Sequence, residues 1–162
     1  MPVNGNYQYP KRPRWEPTKE QTLAYLSKTF KLVEGETELY NGTHIMTLEK
    51  MSLSLNEITV SRKFLDIDTE RIMNVDDICT SLNWEDVVSI KIIGDRNKGM
   101  QTYSSDNLGL IDVEFSSNIN CNGNFRKIYS LYVLKTKEES FKKALERLVE
   151  IAKEENKNPF EN

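Results

Sequence analysis

Residues 128–153, IYSLYVLKTKEESFKKALERLVEIAK, decide the fold. The run from Ile128 to Leu134 is the most continuously apolar in the chain, which predicts a central strand. Thr136-x-x-Glu139 follows at once and has the form of a capping box, which predicts a helix start. Beyond it, Phe141, Ala144, Leu145, Leu148, Ile151 and Ala152 fall on one helical face. Lys142, Lys143, Glu146, Arg147, Glu150 and Lys153 cover the other face. The helix must stop before Pro159, which cannot continue it. A one-sided helix delivered directly by a strand needs a sheet to cover.

Upstream the pattern is that of such a sheet. Ile111, Val113 and Phe115 alternate with Asp112 and Glu114, so one face of that segment is expected to be buried. Met51, Leu53 and Leu55 alternate likewise, as do Ile58 and Val60. Val87, Ile90, Ile92 and Ile93 form an apolar segment entered through Asn83-Trp84-Glu85-Asp86, and residues 71–75 predict a further strand. Asn41-Gly42 and Asn122-Gly123 are turn signals, because both residue types accept the positive φ of a type I′ turn.

The first helix is predicted from Thr18-x-x-Gln21, a second capping box, with Leu23, Leu26, Phe30 and Val33 on one side and an end near Gly35. Residues 1–16 read as an extended arm, since prolines at 2, 10 and 13 discourage helix. Its Tyr7, Tyr9 and Trp15 are expected to dock on the domain. Pro10-Lys11-Arg12-Pro13 also matches a PxxP ligand. The expectation is therefore an α+β protein: an antiparallel sheet or partly open β-barrel, an N-terminal helix, and a long C-terminal amphipathic helix packed on the sheet. An arm at 1–16 precedes a single domain at 17–162.

At 162 residues, the chain fits one domain that needs neither metal nor disulfide to bury a core. A net charge of -3 argues against nucleic-acid binding, which rests on a basic field. No apolar run approaches the roughly 20 residues of a membrane span. No signal-peptide pattern opens the sequence, so the expectation is cytoplasmic, with periplasmic or secreted as the alternative if a leader has been removed. Cys79 and Cys121 lack CxxC spacing and are expected to be free core or surface residues, with a disulfide as the alternative in an exported protein.

Two resemblances follow. Residues 82–90, LNWEDVVSI, resemble the entry to a strand in bacterial pleckstrin-homology-like domains, and residues 141–151 resemble their closing helix. That resemblance implies a seven-stranded sheet closed by the C-terminal helix, with residues 18–33 as an extra helix. It also implies that basic residues near strand ends, here Arg62, Lys63, Arg96, Lys98, Arg126 and Lys127, converge on an inositol phosphate. A second resemblance, through Pro17-Thr18, Ala144 to Leu148 and Pro159-Phe160, is to uncharacterised bacterial domains and implies no activity.

The candidates for chemistry are few. His44 is the only histidine and sits in an expected strand, which reads as packing rather than catalysis. Residues 94–99, GDRNKG, have the outer spacing of a phosphate loop, but Met100 and Gln101 stand where Lys and Ser or Thr are required. Asp66, Asp68 and Glu70 would share one face of a strand. Such a cluster suits calcium, but Arg71 stands where a calcium loop needs glycine, so a solvated strand edge is the expectation. Asn41-Gly42-Thr43 matches a glycosylation sequon and Asn158-Pro159-Phe160 a short endocytic motif; a turn and a helix stop explain them equally well. No catalytic, cofactor or metal residue is assigned. The leading expectation is a non-enzymatic binding module that contacts protein through its sheet or an open strand edge. An inhibitor of a toxin is the alternative, and an enzyme using Asp66, Asp68 and Glu70 is third.

Overall fold

Thr18 caps the first helix, as its capping box predicts. Its side-chain oxygen accepts the Gln21 N–H at 3.2 Å, and Gln21 Oε1 accepts the Thr18 N–H at 3.0 Å. Helix α1 (Lys19–Phe30) follows, then a 3-10 turn (Lys31–Val33). Leu26, Phe30 and Val33 are all buried, the stripe expected of it. Gly35, at φ +92°, takes the chain out of the helix by a route that other residues rarely follow. The computed structural model describes residues 16–93 and 107–157. The docking arm with its PxxP segment, the GDRNKG segment with Arg96 and Lys98, and Asn158-Pro159-Phe160 lie outside the described residues.

Among the described residues seven antiparallel strands follow: β1 (Thr37–Tyr40), β2 (His44–Leu53), β3 (Ile58–Asp66), β4 (Ile72–Thr80), β5 (Val87–Ile93), β6 (Leu108–Cys121) and β7 (Asn124–Leu134). Asn41 and Gly42 both have positive φ, and Thr43 N–H closes their turn on Tyr40 O. Asn122 and Gly123 do the same between β6 and β7. The strands form one curled half-barrel in the order β1-β2-β3-β4-β6-β5, with β7 on the other edge of β6. Register shifts at Leu48/Lys50, Val87/Ser89 and Glu114/Ile119 insert the extra residues that bend the strands into that curl.

The last helix, α2 (Glu138–Glu155), packs on the half-barrel and on α1. Phe141, Leu145 and Leu148 are fully buried, each contributing roughly 1.5–3 kcal/mol by leaving water. Phe30 and Phe141 meet between the helices at a ring-centre distance of 6.2 Å. Trp84 lies under the sheet beside Phe115 and donates its indole N–H to Leu55 O at 2.7 Å. The α+β expectation therefore holds, with a helix at each end of the sheet segment.

Four details depart from the sequence reading. Thr136 does not cap α2: it sits inside a 3-10 turn (Lys135–Lys137), and the N-cap is Lys137 without a side-chain bond. Lys135 N–H is held by Asn107 O at 2.7 Å, so the chain is still tied to the start of β6 where the helix would have begun. The side chain of Glu138 then lies over Gly109, where a Cβ would collide with it. Second, β7 is not central, because among the described residues it pairs only with β6. Its apolar run is covered at one end by helical turns rather than by a second strand. Third, the strand expected at 71–75 runs on to Thr80.

Fourth, Cys79 and Cys121 are joined by a disulfide, with an S–S distance of 2.06 Å. The two residues are directly opposite in register, and both are buried. Their pairing is invisible in sequence because β4 and β6 are not neighbours in the chain. Among the described residues, no helix is long and apolar enough to cross a membrane.

Candidate functional site

The candidate site is the end of the β3–β4 hairpin, which stands clear of both helices. β4 is tied to β3 along its length, by eight register pairs from Ile58↔Cys79 to Leu65↔Ile72. On its other side it meets β6 only at Cys79↔Cys121 and Thr80↔Asn120. Beyond these pairs, the strand outruns the Asn122–Gly123 turn.

Hydrogen bonds at that turn tell which way the main chain of β4 faces. Ile78 N–H donates to Asn122 Oδ1 at 2.9 Å, and Asn122 N–H donates to Ile78 O at 3.0 Å. The Asn122 side-chain amide also donates to Asp76 O. Main-chain groups two residues apart point the same way in an antiparallel strand. The N–H and C=O of Ile72 and Asn74 and the N–H of Asp76 therefore aim along the same edge, and no described strand pairs with them there.

Apolar side chains crowd this edge. Ile72 is 60% exposed and Met73 58%, and Ile67 in the adjoining turn is exposed too. On the concave face a cavity of about 280 Å³ is lined by Tyr40, His44, Arg62, Phe64, Met73 and Val75. Phe64 forms its floor, with the Tyr40 ring edge-on at 5.2 Å and the Arg62 guanidinium 5.4 Å from its centre. Arg62 bonds Asp77 at 3.0 Å, and the Tyr129 hydroxyl donates to the same carboxylate oxygen at 3.2 Å. Burial and the Asp77 carboxylate push the Tyr129 phenol well above its ordinary value.

The residues singled out in the sequence fall as follows. His44 flanks the cavity, with Nδ1 2.7 Å from Thr43 Oγ1 and Nε2 3.6 Å from Asp66 Oδ2. Asp66, Asp68 and Glu70 do not share a strand face. β3 ends at Asp66, and the other two belong to the turn into β4. Asp66 Oδ1 accepts the N–H groups of Asp68 and Thr69, at 2.9 and 3.1 Å, which folds the hairpin end. The Thr69 N–H is the largest influence holding the Asp66 carboxyl below its ordinary value, with the Asp68 N–H and His44 acting the same way. Among the described residues, no group of three or more His, Cys, Asp or Glu side chains is placed to hold a metal.

The basic set is divided. Arg62 and Arg126 both lie near Tyr129, the latter 5.8 Å from its ring centre. Lys63 leans on Glu49 at 3.7 Å, on the opposite face of β3 from its neighbour Arg62.

A second cavity, about 530 Å³, lies between α1 and α2, lined by Pro17, Gln21, Thr22, Tyr25, Ser140, Lys143, Ala144 and Arg147. Arg147 closes its rim: Nε donates to Pro17 O at 2.8 Å, and Nη1 meets Glu16 at 3.0 Å and Glu150 at 2.9 Å. Sequence reasoning put Arg147 on the solvent face of α2, and missed this role because Pro17 and Glu16, which it ties to α2, are about 130 residues upstream.

Comparison with protein families, with curated proteins and with solved structures finds no match to this chain.

Proposed function

We propose that this protein is a non-enzymatic binding module that takes an extended protein segment as an added strand along β4. The observation that carries this reading is the row of main-chain groups on Ile72, Asn74 and Asp76, directed away from β3 and flanked by exposed Ile72 and Met73. An added strand gains affinity from main-chain hydrogen bonds and specificity from alternate side chains. Those side chains would fall beside Met73 and Val75, at the rim of the Tyr40–Phe64 cavity. Long, flat, apolar edges are normally blunted by charge, proline or a covering loop. Asp66 is engaged in folding the hairpin end, and His44 at the start of β2 is held by Thr43 and lies beside Asp66, which supports a binding role over a catalytic one.

The seven strands and the helix α2 support the pleckstrin-homology-like resemblance of residues 82–90 and 141–151, with α1 outside that pattern. The disulfide favours an oxidising compartment, and with it the exported alternative.

The test is Asn74→Pro. Its N–H faces the open edge, so proline there removes no bond to β3, as edge strands tolerate. Phage-displayed random peptides selected on the intact protein should lose binding to a folded Asn74→Pro variant. Peptides that bind both proteins equally well would place recognition elsewhere and defeat the reading.

A further inference from the structure

We infer that the strand added to β4 is β4 of a second copy of this chain, paired antiparallel about a two-fold axis through Asn74. This rests on the reading of β4 as an open binding edge, and it names the occupant. The argument is the self-complementarity of one short sequence, Arg71-Ile72-Met73-Asn74-Val75-Asp76-Asp77. A two-fold interface brings the same surface of both copies together, so residue i faces j wherever j faces i.

With Asn74 opposite itself, Ile72 faces Asp76, Met73 faces Val75 and Arg71 faces Asp77. This register satisfies, in both copies, the main-chain groups with which no described strand pairs. The two Asn74 residues exchange N–H and C=O, and Ile72 exchanges with Asp76. The Asp76 carbonyl, already bonded by the Asn122 amide, has a second lone pair for the new strand.

Side chains choose the same register. Met73 and Val75 belong to the concave face, opposite Phe64 and Arg62 in β3. Pairing them across the axis buries the exposed methionine and extends the apolar floor into one surface shared by both copies. Arg71 and Asp77 are of opposite charge and meet twice, once on each side of the axis. Moving the axis to Met73 would set Glu70 against Asp76, like charges directly opposite. Moving it towards Asp76 would call on Ile78, whose N–H and C=O are already bonded to Asn122.

Three measurements on the full chain decide it. Sedimentation over a concentration series should give twice the monomer mass at high concentration, and Asn74→Pro should stay monomeric. Single cysteines placed at 72, 73, 74, 75 and 76, oxidised with the native disulfide intact, should cross-link best at 74. Residues facing themselves in a hydrogen-bonded antiparallel pair have Cα atoms about 5.5 Å apart, within the disulfide range of about 4.4–6.8 Å. Amide exchange at Ile72, Asn74 and Asp76 should slow as concentration rises.

A dimer cross-linking best at another position overturns the inference. A monomer whose three edge amides exchange freely also overturns it, while leaving the edge open for another protein. A monomer with these amides already protected defeats both this inference and the strand-addition reading.

Discussion

Reduction of the Cys79–Cys121 bond should cost this protein about a quarter to four-fifths of an ordinary domain's stability. The bond joins residues 42 apart, and the loop it closes removes conformations from the unfolded chain. For a loop of that length the chain-entropy relation gives about 4 kcal/mol, against typical totals of about 5–15 kcal/mol. In a chain of this size, about 2–4 °C of melting temperature accompanies each kcal/mol, so the reduced protein should melt about 8–16 °C lower. With a urea m-value of about 2 kcal/mol/M the midpoint should fall by about 2 M.

Both sulfurs are buried, so the reduced form must be made by unfolding in reductant and refolding under it. Cys79→Ala/Cys121→Ala serves as a second, permanently open form. The m-value offers an independent check: the cross-linked unfolded chain is more compact and exposes less surface, so the oxidised protein should have the smaller m. Oxidised and reduced proteins that unfold within about 1 kcal/mol of each other, with equal m, would refute the argument. The β4–β6 junction would then hold by its two strand pairs and the Asn122 bonds alone.

Leu148→Asp drives a carboxylate into the fully buried face of α2, at a cost of several kcal/mol, and should abolish the cooperative melt followed by circular dichroism. Arg147→Ala removes the bonds to Pro17, Glu16 and Glu150; at 13% exposure the side chain is only weakly screened, so a loss of about 1.5–3 kcal/mol is expected in urea titration. Tyr129 carries a pH signature. Its folded pKa lies above its unfolded value near 10.0, so its contribution is fully present below pH 10 and is lost as pH rises beyond it. The urea midpoint should fall more steeply above pH 10 in the parent than in Tyr129→Phe, and parallel curves would count against the burial of the phenol.

What the sequence disclosed follows from where each element gets its signal. The two Asn-Gly turns and the Thr18–Gln21 box are local chemistry, and the structure returns them intact. Ile111, Val113 and Phe115 alternate because β6 is buried on one face only. β4 was read short because seven of its nine residues are exposed or half-exposed before Cys79, which leaves no apolar rhythm to follow. Thr136 and Glu139 had the spacing of a cap, but a tertiary bond from Lys135 to Asn107 overrode it. The carboxylates at 66, 68 and 70 looked like a strand face because alternation in sequence does not reveal a positive φ, here at Glu70, where the turn reverses. Contact through the sheet or an open strand edge was expected in general terms; that β4 offers such an edge depends on its outrunning β6, and no local pattern encodes that.

Asn122 imposes a filter on how this sequence can drift. Its backbone sits at φ +55°, which excludes most side chains, and its amide works as a fragment of strand, accepting from Ile78 and donating to Asp76. Glycine would keep the backbone and lose both side-chain bonds. Aspartate would keep the backbone and the accepting oxygen, but its second oxygen would face the Asp76 carbonyl without a proton to share. Among the common residues asparagine alone meets both demands. In any lineage that keeps this hairpin, position 122 should therefore stay fixed while the exposed residues of β7 around it vary. A change there would unfasten the sheet at the point where its last hydrogen bonds give way to the open edge.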